Sequence, residues 1–405
     1  MKKNNLITKN YIKHNYINKK KIIKLSKNFT KIIEKVKNDI QDQEKTLNVL
    51  SKNYNFNFKI KDLQKFQKFK IVVVIGMGGS ILGAEAINTF FEEKIKKKFY
   101  FFDDLQSKKI LDFKKKKDLK KILFLVISKS GNTIETLSNF FSLNVIKKNS
   151  KNIVIISEKN NNLLFSLTKK FNLFYIEHKK NIGGRYSVLS EVGIVPAYLM
   201  GINIQKLRSE IQTHLKGKKF FFLKKSTIKL ASFLISKKVN NLIFLNYSSR
   251  LEKLLFWSQQ LIAESLGKNG KGFLPMVSKV PKDHHSLLQN YLDGPKDKLF
   301  HIFSIEDEST EKININKKGS FRTFLDKKKL RDIKFAQKNS LIKAFRKKNI
   351  PFREFKIKNT NEKTLGELFS YFILETVIIG KLIKVNPFDQ PAVEKVKNYT
   401  KKLLS

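Results

Sequence analysis

Residues 71–84 read IVVVIGMGGSILGA and residues 122–136 read ILFLVISKSGNTIET. Each opens with an unbroken run of β-branched and large apolar residues, the pattern of a strand covered on both faces in a parallel sheet. Each then passes through a Gly- and Ser-rich turn into a helical stripe. The first stripe is Leu82, Ala86 and Phe90, and the second is Ile134, Leu137, Phe141 and Val145. Residues 153–156 supply another strand. The alternation continues with helices over 227–236, 251–266, 362–384 and 392–404, and strands over 241–245 and 299–305. Strand–loop–helix alternation of this kind predicts an α/β chain of two doubly wound parallel-sheet domains with flanking helices. The polar stretch 205–219, QKLRSEIQTHLKGKK, separates them. The expected organisation is a helical segment at 1–65, a first α/β domain at 66–210, and a second at 211–405 that ends in a helix. The lysine-rich stretch 306–333 reads as a surface excursion.

Composition limits the function classes. The 405 residues contain no cysteine, which excludes disulfide scaffolds, thiolate metal sites and cysteine nucleophiles. The net charge of +49 invites a nucleic-acid reading. However, of 83 basic residues only seven are arginine, the side chain that reads bases and phosphates bidentately. Lysine rises together with Asn, Ile and Phe, as AT-rich codons would produce, so the lysines read as a dispersed solvated coat. Non-specific affinity for polyanions at low salt is still expected; a specific nucleic-acid partner is not. The first 25 residues lack the apolar core of a signal peptide, and the glycine-interrupted run at 71–84 is too short to span a bilayer. The expected location is the cytoplasm.

Several residues stand out chemically. Gly78, Gly79 and Ser80 offer backbone N–H groups at a helix start, where negative charge is favoured. Ser128, Lys129, Ser130 and Thr133 place three hydroxyls and an ammonium within six residues. Both loops suit a phosphate and would meet at the carboxyl edge of the sheet. Asn132 with Glu135 also fits a capping box, so part of the second loop can serve simply to start a helix. Arg185 follows a Gly-Gly pair and offers a permanent planar cation to an oxyanion. Glu264 shares a helical stripe with Trp257 and Leu261 near a helix end closed by Gly267. Apolar neighbours and the helix dipole there would oppose its charge, as a general base working near neutrality requires. His284 and His285 are adjacent in VPKDHHSLLQNYLDGP and suit proton transfer. Gln390 and Lys397, seven residues apart, share one face of the last helix. Without cysteine or a His-rich motif, no metal is expected.

Taken together, IGMGGSILG, SKSGNTIET, GGRYSVLS, QQLIAESLGK, DHHSLLQNYLDGPKDK and FDQPAVEKVK resemble the glucose-6-phosphate isomerase family of the sugar isomerase fold. The resemblance implies reversible conversion of glucose 6-phosphate to fructose 6-phosphate in glycolysis and gluconeogenesis, through an enediolate and without a cofactor. It implies that Gly79, Ser80, Ser128, Lys129, Ser130, Thr133 and Gln390 bind the sugar phosphate. Glu264 would shuttle the proton, Arg185 would stabilise charge, and His285 with Lys397 would open the ring. The S-x-L-Q…L-D-G frame aligns His285 rather than His284 with the family's histidine. A homodimer with its active site at the subunit interface is also implied. The same motifs fit an isomerase accepting mannose 6-phosphate as well. A sugar-phosphate-sensing protein would keep the loops but have no need of Glu264, Arg185 and His285.

Overall fold

Strands Ile71–Ile75, Ile122–Ile127 and Ile153–Ser157 are almost wholly buried, as their unbroken apolar sequences require. They form the middle of one of two five-stranded sheets in the computed structural model, which describes residues 5–13, 19–306, 311–313 and 323–404. In chain order the strands are β1 Leu6–Asn10, β2 Ile71–Ile75, β3 Lys98–Phe102, β4 Ile122–Ile127 and β5 Ile153–Ser157. They continue with β6 Phe174–Glu177, β7 Asn241–Asn246, β8 Leu274–Lys279, β9 Lys298–Ile305 and β10 Phe352–Ile357. The first sheet runs β3-β2-β4-β5-β6 and is parallel throughout. The second runs β1-β10-β9-β7-β8, parallel except for β1, which adds antiparallel at the edge.

In the first sheet the chain leaves β2 for β3 on one side and returns to β4 on the other. That reversal opens a crevice above the carboxyl ends of β2 and β4, where open α/β sheets bind ligands. Both glycine-rich turns lie there, fixed by the pairing of Ile75 with Val126.

The N-terminal segment differs from the expected helical piece. Its helix, Lys19–Gln41, is present, but Leu6–Asn10 ahead of it is a strand whose partner lies some 350 residues away in β10. The pattern LITKN has too few apolar residues to announce a strand; long-range pairing makes it one. Helix Ile134–Leu143 also turns differently from its predicted stripe. Thr136, Asn139, Phe140 and Leu143 face inward, while Phe141 remains 44% exposed. Of the predicted excursion at 306–333, residues 307–310 and 314–322 lie outside the described residues, and a helix, Leu330–Lys347, starts within its last part. Among the described residues, no helix is long and apolar enough to cross a membrane.

Helix Glu362–Leu382 is buried along most of its length. A Cβ on Gly366 would lie 1.7 Å from Leu207 O, so the glycine permits backbone contact with helix Ile204–Ser209. Trp257 of helix Glu252–Leu266 packs edge-on against Phe369, with ring centroids 4.9 Å apart. Helix Glu252–Leu266 also meets helix Leu82–Phe90 of the first half, where Lys253 donates to the buried Glu85 carboxylate at 2.8 Å.

A polar knot sits inside the second half. Arg353 of β10, fully buried, donates to both Glu375 oxygens at 2.5 and 2.9 Å, to Tyr371 Oη at 3.0 Å and to His301 Nε2 at 2.9 Å. Burial, reinforced by the guanidinium, holds His301 well below its usual pKa, so it stays neutral and can accept. Removing one member of such a pair leaves an uncompensated buried charge. Arg353→Met is therefore expected to lower stability by about 3–5 kcal/mol in denaturant titration. Arg353→Met combined with Glu375→Leu should regain much of that loss. A single variant as stable as the parent would show that the knot contributes nothing.

Candidate active site

The first turn is built around close backbone approaches. After β2, Gly78–Ser80 forms one short turn, and Gly78 adopts φ +52. A Cβ on Gly79 would lie 2.2 Å from Gly184 C, so the turn rests directly on the backbone preceding Arg185. A Cβ on Gly78 would meet Gln260 Nε2 at 2.6 Å. The Ser80 amide is not a free donor as expected: it bonds to Met77 O at 3.1 Å, leaving its half-buried hydroxyl as the polar group offered there.

The second turn follows β4. Ser128 is buried and its Oγ lies 2.8 Å from Thr133 Oγ1. Gly131 has φ +66, and a Cβ on it would fall 1.7 Å from Asn162 Oδ1. The expected capping box does not form. Thr133 is the residue before the helix, and the Asn132 side chain instead accepts from Leu163 N, at the start of helix Leu163–Phe171. Asn132 thus braces the loop against a neighbouring helix rather than its own. Lys129 Nζ donates to Lys180 O at 2.8 Å and stands 3.6 Å from Glu158 Oε1. Burial lowers the Lys129 pKa, and the Glu158 carboxylate acts in the opposite direction. A lysine so held is a directed charge rather than a waving surface amine.

Arg185 is 4% exposed and uses every donor of its fork. Nε donates to Ser265 Oγ at 2.8 Å, Nη1 to Gln390 Oε1 at 2.9 Å and Glu264 Oε2 at 3.3 Å. Nη2 donates to Pro387 O at 2.7 Å and Asp389 O at 3.0 Å. Glu264 is not packed on the apolar stripe inferred from helix geometry. Its side chain keeps 28% exposure, held between Arg185 and Gln260, whose Nε2 donates to Oε1 at 2.9 Å. Trp257 and Leu261 point into the core instead.

Arg185, Glu264 and Gln390 are therefore joined directly. Gly79 connects them to the first turn through Gly184. The final helix, Pro391–Leu404, crosses the second turn: Ser130, Thr133 and Lys397 line one cleft of about 270 Å³. Lys397 currently pairs with Glu394 at 2.8 Å, both half exposed. His285 is not brought to this group. It is exposed on the short turn Lys282–His285 after the edge strand β8, and no hydrogen bond or ion pair links it to Glu264, Arg185 or either loop. His284 is half-buried, with Nε2 3.1 Å from Tyr247 Oη, and burial lowers its pKa.

Gln260, Ser265 and Tyr186 were not singled out from sequence. Gln260 sits one helical turn before Glu264, a spacing that flags it once Glu264 is chosen. Tyr186, whose hydroxyl lies 2.8 Å from Ser265 Oγ and donates to Pro387 O at 2.7 Å, offers no such signal.

A family model described as phosphoglucose isomerase matches residues 33–274. The chain is 33% identical over 380 residues to a probable glucose-6-phosphate isomerase of Methanococcus maripaludis, covering 90% of this chain and 85% of that one. It is 32% identical over 355 residues to the glucose-6-phosphate isomerase of Methanocaldococcus jannaschii, covering 85% and 86%. Among solved structures, a hypothetical protein from Thermus thermophilus superposes with TM-score 0.83 at 23% identity, covering 99% of this chain and 100% of that one. A glucose-6-phosphate isomerase from Chlamydia trachomatis gives TM-score 0.78 at 16% identity, over 99% and 88%. At these identities the two structures speak to the fold alone.

The contact between the first turn and the Arg185 backbone can be tested by adding one methyl group. Gly79→Ala is expected to lower the melting temperature by at least about 2 °C, since about 1 kcal/mol moves a domain of 150–250 residues by about 2–4 °C. Gly184→Ala, with nothing within 4 Å of its Cβ position, should melt near the parent. Equal melting of the two variants would show that the turn does not rest on this contact.

Proposed function

The chain belongs to the phosphoglucose isomerase family and interconverts glucose 6-phosphate and fructose 6-phosphate; we propose that Glu264, paired with Arg185, is the group that moves the proton between C1 and C2. The observation that carries this reading is the Arg185–Glu264 contact at 3.3 Å on a fork otherwise saturated by fixed acceptors. The sugar phosphate enters with its phosphate on Ser80, Ser128, Lys129, Ser130 and Thr133, at the crevice between β2 and β4. That placement sets the sugar carbons toward Glu264.

In open-chain glucose 6-phosphate, Glu264 removes the C2 proton as electrons move toward the C1 carbonyl oxygen, giving an enediolate. The O2 hydroxyl proton passes to O1, and the protonated Glu264 then returns its proton to C1 as the C2 carbonyl forms, leaving C1 as a hydroxymethyl group. The developing oxyanion is stabilised by the fixed positive charge of the Arg185 guanidinium, whose donors stay on their protein acceptors during the step. Gln260 orients the carboxylate by holding Oε1, and Gln390 occupies Arg185 Nη1 beside it. Ring opening requires an acid–base pair at the ring oxygen and O1, assigned to His285 and Lys397.

His285 reaches the sugar by coming from a second copy of the chain, in a cytoplasmic homodimer. Its exposure supports this, as do the exposed side chain of Leu287 two residues on and those of Leu274 and Met276 along the edge strand β8 that leads to it. His284, occupied by Tyr247, has a structural role.

Glu264→Gln is expected to retain the fold and KM for fructose 6-phosphate within a few-fold while kcat falls by about a thousandfold. Turnover near the parent rate would remove Glu264 from the role. The shared site has its own test. When Glu264→Gln and His285→Ala proteins are mixed and allowed to exchange subunits, half the dimers are hybrids with one intact site. Activity should rise to about a quarter of the parent level. No recovery, with exchange verified by mass spectrometry, would place the whole site within one chain.

A further inference from the structure

The chain carries 76 lysines among 405 residues, and their dispersal along the sequence suggests an even coat. The fold gathers some of them. At the amino-terminal edge of the first sheet, opposite the candidate active site, the approaches to β2, β4 and β5 enclose a groove of about 1140 Å³. Eight of its sixteen lining residues are lysines, among them Lys68, Lys70, Lys120, Lys147, Lys148 and Lys151, all exposed. The single lining carboxylate, Asp118, accepts from the Lys120 amide at 3.1 Å and lies 3.6 Å from Lys121 Nζ. Eight ammonium groups therefore face one carboxylate in a single concavity.

Like charges lining one concavity raise the local positive potential, and an entering anion relieves that repulsion. The surface is concave, which admits a chain and excludes a flat bilayer. No arginine lines it, so bidentate base reading is not offered. Phe69, its one aromatic, is 9% exposed and gives no stacking platform. What remains is attraction for a repeating anion, independent of sequence.

We propose that this groove binds a linear chain of phosphates, supplied by single-stranded nucleic acid or by inorganic polyphosphate. The site is separate from the isomerase centre and does not depend on the assignment of Glu264 or the phosphate loops.

The test compares two variants with equal charge removed. One carries Lys120→Gln, Lys147→Gln, Lys148→Gln and Lys151→Gln in the groove. The other carries Lys24→Gln, Lys27→Gln, Lys31→Gln and Lys35→Gln on the exposed face of helix Lys19–Gln41. Binding of a fluorescent oligothymidylate of about 20 nucleotides is followed by anisotropy across a salt series. The groove variant should bind at least about tenfold more weakly at 100 mM salt, with its log–log salt slope reduced by about 3, or roughly 0.7 per lost contact. The helix variant should stay within about threefold of the parent. Inorganic polyphosphate and polyglutamate of matched charge serve as competitors. Polyphosphate that displaces the oligonucleotide, with the same groove dependence, adds itself as a source; polyphosphate that fails to do so leaves nucleic acid as the source. Equal losses in the two variants would show that only net charge matters and would overturn the groove. Displacement by polyglutamate as readily as by polyphosphate would overturn the phosphate assignment. Unchanged isomerase activity in both variants verifies their folding.

Discussion

Arg185 is the point on which the geometry of the site depends. A buried guanidinium is stable only if its donors are all satisfied, because each unmet N–H would carry the cost of its lost hydration. Here five donors meet five acceptors from two separate stretches: Glu264 and Ser265 in one, and the carbonyls of Pro387 and Asp389 with the Gln390 side chain in the other. The stretches belong to the end of helix Glu252–Leu266 and to the turn before the last helix, while Arg185 itself follows the first sheet. Satisfying one side chain thus sets the positions of both halves relative to each other. Gly79 against Gly184 extends the same constraint to the first glycine turn.

The remaining architecture supports that junction. The reversal of strand order between β2 and β4 creates the crevice, and the turns above it use glycine where a side chain would strike Gln260, Gly184 or Asn162. On the proposed reading, a phosphate held there and the carboxylate held by Arg185 would form the two ends of the site. Lys397 arrives from a helix that has no buried residue of its own, so its place above the second turn owes little to packing. The opposite edge of the same sheet has a different character, because three loops that lead into strands carry their lysines into one groove. One sheet thus presents shaped, neutralised polar groups at its carboxyl edge and a large excess of positive charge at its amino edge.

Elements whose burial is written in their own residues were legible from sequence. Ile71–Ile75 and Ile122–Ile127 appear in the fold with the bounds their apolar runs suggest. Strands that depend on distant partners were not. β1 has the composition of a loop, and β10, FREFKI, hides a core strand because Arg353 and Glu354 are buried only through their pairing with Glu375 and Lys338. The site residues were legible as chemistry but not as geometry. A helical wheel placed Glu264 on an apolar face, whereas two polar side chains, one of them 79 positions away in sequence, hold it. Lysines spread from 68 to 151 gave no hint of meeting, since only the sheet edge brings them together. The exposure of His285 was equally invisible in a motif that reads as an active-site segment.

The central claim is that one base, Glu264, carries a proton between C1 and C2 by way of an enediolate, and isotope tracing tests it most directly. Glucose 6-phosphate is incubated with the protein in D2O and the fructose 6-phosphate formed is examined by NMR at early conversion. Because a carboxylic acid with 28% exposure exchanges with solvent in competition with proton return, the account predicts deuterium at C1 of a measurable fraction of product, in a single stereochemical position. It also predicts no deuterium entry with Glu264→Gln under conditions where that variant still binds substrate. Label scattered over both stereochemical positions at C1, or undiminished labelling in Glu264→Gln, would contradict it.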